Sequence, residues 1–486
     1  MEARTVSALQ QAGGVAVGPL DRRGARAARA GVLPAWPVTW LFVLFPLWWV
    51  AGLMPFVIPM AGAVCLFLMS VRGSIRLPRM WLPWTGFIIW MLVSASMIDT
   101  AGRMLGFAQR WTTLVGASIV AVYVYNAAER LTRRRLLGAM AWFLGWVAAG
   151  GYLGMIAPYT RINTPMLRIM PRNIASNDYV RELLSPRFAE VQQPYGAPYP
   201  FVRPAAPFPY TNGWGHAFVL LLPLVVALWL IADRRLRTTL TLLVLAAVPP
   251  ALATLNRGIF VGVAVTAMMT TLRLRRRIRL GHVLLAAVPL TAAALFVLST
   301  GALDRISQRT STSSTTADRA SIYREAFDRT LESPLLGYGA PRPSELLGVS
   351  VGTQGHFWYV MFSHGFVGLA LFLLTIWGLA VATRRTTDLP GAFVHMTLVV
   401  VSVMLMFYGL DGMNLLIVLV TAALLLRRDD PVRSDAPVVP ERVVRRHGVP
   451  PHRESHLERS LRWPDVGIPA PGRPAPPPRP TGGAPS

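Results

Sequence analysis

The chain has 486 residues, of which 53% are hydrophobic and only 15% are charged, and its formal net charge is +25. Soluble domains carry about 25% charged residues, so this composition excludes an ordinary soluble enzyme and favours a protein whose solvent is lipid. The basic side chains are all arginines, which lie mostly in short segments between apolar runs and argue against nucleic acid as a partner. The only cysteine, Cys65, excludes a disulfide framework and a thiolate metal site.

Apolar runs recur along the chain and predict an all-α polytopic membrane protein with about twelve transmembrane helices. Residues 1–36 are polar and too long for the n-region of a signal peptide, so we expect a cytoplasmic tail. The transmembrane domain is predicted over 37–428, and the Pro- and Arg-rich segment 429–486 is predicted to be a disordered cytoplasmic extension. The predicted spans are 37–54, 55–71, 81–98, 111–127, 136–157, 213–232, 239–255, 258–272, 281–300, 356–381, 391–409 and 412–426.

The arginine distribution predicts the orientation of these spans. With the N-terminus inside, every short connection on the same side is rich in arginine, as the positive-inside rule requires. These connections lie near 72–79, 130–135, 234–237, 273–279, 384–385 and 427–428. The lysine-free composition, rich in Ala, Gly and Pro, indicates a GC-rich bacterial genome. We therefore expect a multi-pass protein of the bacterial inner (cytoplasmic) membrane with both termini in the cytoplasm.

Two long connections, 158–212 and 301–355, fall on the outer side in this arrangement. Long segments within a compact protein are usually functional or disordered, and both contain enough apolar residues to favour ordered structure. Residues 317–332 have apolar positions at helical spacing and predict an amphipathic helix near the outer membrane surface. Pro334 and Gly337 are expected to end this helix.

Ionisable residues at the outer ends of the spans are functional candidates, because their burial near lipid is costly. Arg257 follows a tight turn and either binds a phosphate or diphosphate or extends to the lipid headgroups. Arg319 begins the amphipathic helix and either binds an anion or belongs to a solvated helix face. His356 begins a long span and either acts on a hydroxyl group or belongs to an aromatic belt. Asp411 either pairs with an arginine or serves as a base.

Four local sequences stand out on the predicted outer side of the membrane: "PFPYTNGWGHAFVLLLP" at 207–223, "TLNRGIF", "DRASIYREAFDRTLESPLLGYG" and "GHFWYVMFSHGFVGLALFL". In type, order and placement they resemble segments of the O-antigen ligase and polymerase superfamily of bacterial membrane glycosyltransferases. The resemblance covers roughly 200–385, and the rest of the chain matches only in hydropathy. Phe357 stands where family members commonly have Asn after the histidine, which leaves the acceptor open.

The resemblance implies a GT-C-like fold and transfer of a glycan from a polyprenyl-diphosphate-linked donor to an acceptor hydroxyl. Arg257 and Arg319 would bind the diphosphate, and His356 would orient or deprotonate the acceptor. Asn212, in the first matching segment, and Asp411 complete the predicted substrate-binding set. The reaction needs no cofactor or metal, and the chain has no nucleotide-binding Gly-rich loop and no HExxH motif.

The expected partners are the lipid-linked glycan donor, a glycan or lipid acceptor, and membrane lipids. The sequence does not separate a polysaccharide polymerase from a ligase. A transporter or flippase for an anionic or lipid-linked substrate is the alternative from another functional class. A non-catalytic partner of a glycan assembly complex is a further alternative.

Overall fold

The computed structural model describes residues 32–78, 81–192, 200–274, 315–344, 350–386 and 388–427. The protein is mostly helical (73%). Its helices are α1 Trp36–Val43, α2 Phe45–Ala51, α3 Met54–Arg72, α4 Trp81–Ser94, α5 Ala101–Asn126, α6 Arg133–Ile156, α7 Pro165–Ile169, α8 Arg172–Ala175, α9 Asp178–Leu184, α10 Thr211–Ile231, α11 Arg234–Ala253, α12 Arg257–Leu274, α13 Thr315–Glu332, α14 His356–Ala382, α15 Leu389–Met404 and α16 Gly412–Leu426. The strands β1 Ala189–Gln192 and β2 Phe201–Pro204 form one antiparallel pair, and β3 Arg342–Pro343 and β4 Ser350–Val351 form another.

Helices occupy all the predicted spans except 281–300, which lies outside the described residues. The first predicted span is divided at Leu44, where the backbone leaves helical geometry, and Pro46 lies in the first turn of the next helix. Helix α5 begins at Ala101, ten residues before the predicted boundary of 111, after the side chain of Thr100 accepts a hydrogen bond from the N–H of Arg103. These differences concern the ends of helices and the breaks between them, which local hydropathy defines poorly.

Five of the described helices, α3, α6, α10, α11 and α14, are long and apolar enough to cross a membrane. This finding supports an all-α membrane protein, whereas the number of about twelve crossings stays a prediction. The predicted tails fall largely outside the described residues, as 1–31 and 429–486 do.

Helix α16 lies at the centre of the helical assembly. Its residues from Met413 to Leu425 are buried all around the helix, and it packs against α5, α10 and α15. A helix that is apolar on every side is stable only when neighbouring elements or lipid cover it. Helices α3 and α5 approach closely because Gly62 faces Gly116, where an added Cβ at Gly62 would lie 2.7 Å from the Gly116 Cα.

The connections predicted to lie inside contact one another, so they occupy the same end of the helical assembly. Several arginines make these contacts, with both carboxylates and backbone carbonyls. The pairs are Arg72 with Asn126, Arg133 with Asp388, Arg134 with Asp233, and Arg427 with Leu131. The arginine-rich connections therefore form a common basic end, as the sequence predicts.

The first predicted outer segment, 158–212, is folded over most of its length. It contains the short helices α7, α8 and α9 and the β1–β2 hairpin, in which Ala189 pairs with Pro204. In the second, 301–355, helix α13 covers the predicted 317–332 and confirms that a helix forms there. The N–H of Gly337 donates to the carbonyl of Ser333 in the turn that follows. Residues 301–314 and 345–349 lie outside the described part.

Helix α14 contains a sharp turn at Gly365. This residue has φ 67° and ψ −173°, which are far from helical values. The rings of His356 and Phe372, on either side of the turn, have centroids only 5.0 Å apart. A straight helix would separate these two residues by roughly 24 Å. The predicted span at 356–381 is therefore helical, but its first part folds back along the second.

The turn leaves backbone carbonyls without a hydrogen-bond donor in their own helix, and other segments supply the donors. The N–H groups of Tyr338 and Gly339 donate to the carbonyls of Phe362 and Ser363, at 3.0 and 2.7 Å. The indole N–H of Trp90 donates to the carbonyl of His364 at 3.0 Å. A break within a membrane-embedded helix requires such partners, because lipid supplies none.

Candidate functional site

The connection 405–411, between α15 and α16, binds the start of α14. The backbone N–H of His356 donates to the carbonyl of Tyr408 at 2.8 Å. The backbone N–H of Leu410 donates to Nδ1 of the His356 ring at 3.1 Å. His356 is only 5% exposed, so the connection fixes both its backbone and its ring. The bond from Leu410 means that Nδ1 carries no proton, and a neutral ring then carries its proton on Nε2.

The same connection binds the Asn-Arg-Gly turn before α12. The Asn256 amide oxygen accepts from the hydroxyl of Tyr408 at 2.6 Å and from the N–H of Gly258 at 3.2 Å. The Asn256 amide nitrogen donates to the side-chain oxygen of Asn212 at 3.2 Å. Asn256 thus caps α12, a role for which its short amide side chain is suited. A Cβ at Gly258 would clash with the Tyr408 hydroxyl, so this position favours glycine.

The beginning of α10 makes the third set of contacts with this connection. Nδ1 of His216 lies 2.9 Å from the carbonyl oxygen of Gly409. The amide of Asn414, in the first turn of α16, donates to the carbonyl of Gly213 at 3.1 Å. Three of the four segments that carry the sequence resemblance therefore meet at 405–411, although they are far apart in the chain.

Two of the predicted site residues have exposed side chains. Arg257 is exposed in the first turn of α12, directly after Asn256. Asp411 is exposed directly before α16, and the ion pairs of the described residues do not include it. Its predicted pairing with an arginine is therefore not seen there. Arg319 belongs to α13, and its side chain lies outside the described part of the structure.

Arg110 is a functional candidate that the sequence analysis missed. Its guanidinium carbon lies 5.0 Å from the ring centroid of Tyr179 and 5.3 Å from that of Tyr359. Such contacts stabilise a cation through the quadrupole of the rings. Arg110 is on the part of α5 that is predicted to lie outside, where the positive-inside rule does not require an arginine.

Tyr179 brings the first outer segment onto α5. Its hydroxyl donates to the side-chain oxygen of Gln109 at 2.8 Å. Burial raises the pKa of the Tyr179 phenol, and the charge of Asp411 acts in the same direction, while the charge of Arg110 opposes both. The phenol is therefore neutral and acts as a hydrogen-bond donor.

An ion pair within the β1–β2 hairpin lies next to the segment that leads into the Asn-Arg-Gly turn. The guanidinium of Arg203 lies 3.4 Å from the carboxylate of Glu190 and also donates to the carbonyl of Thr254 at 2.9 Å. Glu190 accepts from the N–H of Thr211, at the start of α10. These bonds connect the outer hairpin to two of the segments that reach 405–411.

An apolar cavity of about 180 Å³ lies beside this site, between α3, α5 and the short helices of the first outer segment. Phe56, Leu105 and Leu183 belong to its apolar lining, and Gln109 and Tyr179 are its polar members. Tyr179 thus belongs to the wall of this cavity and also contacts Arg110.

The first part of α14 carries buried polar groups. The hydroxyl of Ser363 and both ring nitrogens of His364 are buried, and the described residues offer them no hydrogen-bond partner. Buried polar groups normally bond to protein, water or ligand. Within the described ranges, no group of three or more His, Cys, Asp or Glu side chains could hold a metal ion.

Comparisons of the chain with protein-family models, with curated proteins and with solved structures find no match.

Proposed function

We propose that this protein transfers a glycan from a polyprenyl-diphosphate-linked donor to an acceptor hydroxyl at the outer face of a bacterial inner membrane, as a polysaccharide polymerase or an O-antigen ligase-like enzyme. One observation carries the proposal: 405–411 binds His356 and the Asn256 side chain, which in turn binds Asn212. The sequence resemblance assigns these segments to one site, and the contacts support that assignment.

The proposal also includes about twelve transmembrane helices in a GT-C-like arrangement with both termini in the cytoplasm. The mutual contacts of the arginine-rich connections support a common cytoplasmic end. Arg257 directly follows Asn256, which binds Tyr408, and His356 binds Leu410, so the two residues belong to the same side of the membrane in this arrangement.

The departing diphosphate develops negative charge, which fixed guanidinium groups stabilise without a metal ion. We assign this role to Arg257 and Arg319, and we add Arg110, which lies between two tyrosine rings next to the apolar cavity. Asn212 is the remaining residue of the binding set, and its amide is fixed by Asn256.

The acceptor hydroxyl requires a group that orients it and a group that takes its proton. His356 performs the first role, because its Nδ1 is occupied by the N–H of Leu410 and its Nε2 is a donor. Asp411 performs the second, since its carboxylate is exposed beside the same connection. The first outer segment, held down through Tyr179 and Arg203, limits the access of water, which would otherwise hydrolyse the donor.

The test is turnover of a radiolabelled polyprenyl-diphosphate glycan by the purified protein in liposomes. Arg257→Ala and His356→Ala are expected to bind the donor and to lose about 100-fold or more in transfer. Arg235→Ala, which removes an exposed arginine at the basic end of α11, is the matched control and should transfer as wild type does. The size of the product distinguishes a polymerase from a ligase. Wild-type rates in both site variants would refute the proposal.

A transporter or flippase is the second candidate, and the break in α14 at Gly365 is the observation that favours it. Discontinuous helices commonly bind substrate in secondary transporters. The same liposomes distinguish the two functions. Movement of the label between leaflets without formation of a new glycosidic bond would identify transport.

A further inference from the structure

A single peptide group lies between two buried imidazoles. The carbonyl oxygen of Gly409 is 2.9 Å from Nδ1 of His216, and the N–H of Leu410, in the same peptide group, donates to Nδ1 of His356 at 3.1 Å. His216 is 0% exposed and His356 is 5% exposed. Both imidazole rings are therefore shielded from water, although Gly409 itself is exposed.

The partners dictate which nitrogen of each ring holds the proton. A carbonyl oxygen only accepts, so His216 must donate from Nδ1, and its Nε2 is then without a proton in the neutral ring. A backbone N–H only donates, so His356 must accept at Nδ1 and hold its proton on Nε2. The two histidines are thus opposite tautomers that are linked through the Gly409–Leu410 peptide group.

We infer that His216 is a positioning residue for His356: its Nδ1–H bond to Gly409 fixes the peptide group that holds His356 as the Nε2–H tautomer. Hydrogen bonds in a chain polarise one another, so the donor at Gly409 strengthens the bond that Leu410 donates. It also prevents the peptide group from rotating. Only the consequence of this tautomer rests on the proposed function: Nε2–H of His356 is then a fixed donor directed at the acceptor hydroxyl.

The surroundings of His216 fix its ring orientation. Its ring centroid lies 5.2 Å from that of Tyr408, whose own hydroxyl is bound to Asn256. Nε2 of His216 is buried and finds no hydrogen-bond partner among the described residues. The bond at Nδ1 is therefore the polar contact that holds this side chain. Through this bond His216 acts on the Gly409–Leu410 peptide group.

The experiment is nitrogen NMR of the full-length protein labelled with ¹⁵N-histidine, with the His356 signal assigned by its loss in His356→Gln. Wild type is expected to show His356 protonated on Nε2 alone. His216→Asn keeps an N–H at the position of Nδ1 and should preserve this tautomer and most of the transfer activity. His216→Gln, which presents its amide one bond further out, and His216→Phe should give a mixture of tautomers.

In both of these variants transfer should fall about tenfold, because the Gly409 carbonyl loses the donor that fixes its peptide group, with little change in the donor concentration at half-maximal rate. His395→Phe is the matched control, since His395 is also buried and bonded at Nδ1, to Thr383 at 3.0 Å. That variant should leave the His356 signal unchanged.

A wild-type spectrum with His356 protonated on Nδ1, or an unchanged tautomer in both His216→Gln and His216→Phe, would overturn the inference. If His216→Phe does not fold, the comparison of His216→Asn with His216→Gln decides the question. The spectra need no substrate, so the expected tautomers without any glycan transfer would refute the proposed function and leave the inference intact.

Discussion

Replacing Gly365 by alanine tests the turn that brings the two parts of α14 together. The backbone at Gly365, with φ 67° and ψ −173°, is in a region that residues with a Cβ rarely adopt. An added Cβ would also lie within van der Waals overlap of the carbonyl oxygens of Pro334 and Leu335. The alanine must therefore distort the turn.

The size of the effect follows from two terms. Strained backbone of this kind costs about 1–3 kcal/mol. The N–H of Phe366 donates to the carbonyl of Pro334 at 2.8 Å, and the loss of this bond costs about 1 kcal/mol. We expect Gly365→Ala to be destabilised by about 2–4 kcal/mol, if the two terms add.

The assay is thermal unfolding of the purified protein in detergent, followed by tryptophan fluorescence. Gly138→Ala, within α6, is the matched control, because no atom lies within 4 Å of an added Cβ there. In a regular helix this change stabilises by up to about 1 kcal/mol. If Gly365→Ala raised Tm as Gly138→Ala does, α14 would be a continuous helix and our account of the turn would be refuted.

Three further predictions concern the segments around the site. Asn256→Ala should lower the stability by about 1–2 kcal/mol through loss of the α12 cap, and Asn256→Asp, which keeps an acceptor for the N–H of Gly258, should lose less in the same thermal assay. Arg203→Met should cost about 3 kcal/mol, because it leaves the Glu190 carboxylate buried without its cation. Adding Glu190→Gln should recover part of this loss, and an equal Tm for the single and double variants would contradict the ion-pair account. Desolvation alone would raise the pKa of Asp99, but the hydrogen bond and charge of Arg103 hold it below its ordinary value of 3.8. The pair therefore stabilises the fold above about pH 4 and ceases to do so as the pH falls through the lowered pKa. Asp99→Asn should have a Tm that depends less on pH between about 5 and 3 than wild type, and identical profiles would show that the pair contributes nothing.

Several features of the site could be anticipated from the sequence because they are properties of short segments. Asn256 caps α12 through the N–H of Gly258, two residues along the chain, and the helix at 317–332 follows from apolar spacing and the turn after it. The positions of His356 and Asp411 at helix ends follow from the apolar runs beside them.

The positions of the helices and the basic character of their connections can be read from the amino-acid sequence, because hydropathy and charge act within one segment. Packing of distant segments establishes the contact of Arg110 with Tyr179, the hydrogen bond of Arg203 to Thr254, the fold-back at Gly365 and the tautomer of His356. Each of these depends on a backbone or side-chain group from a distant segment. A hydrogen bond or ion pair of this kind forms only after packing has brought its two partners together and removed competing water.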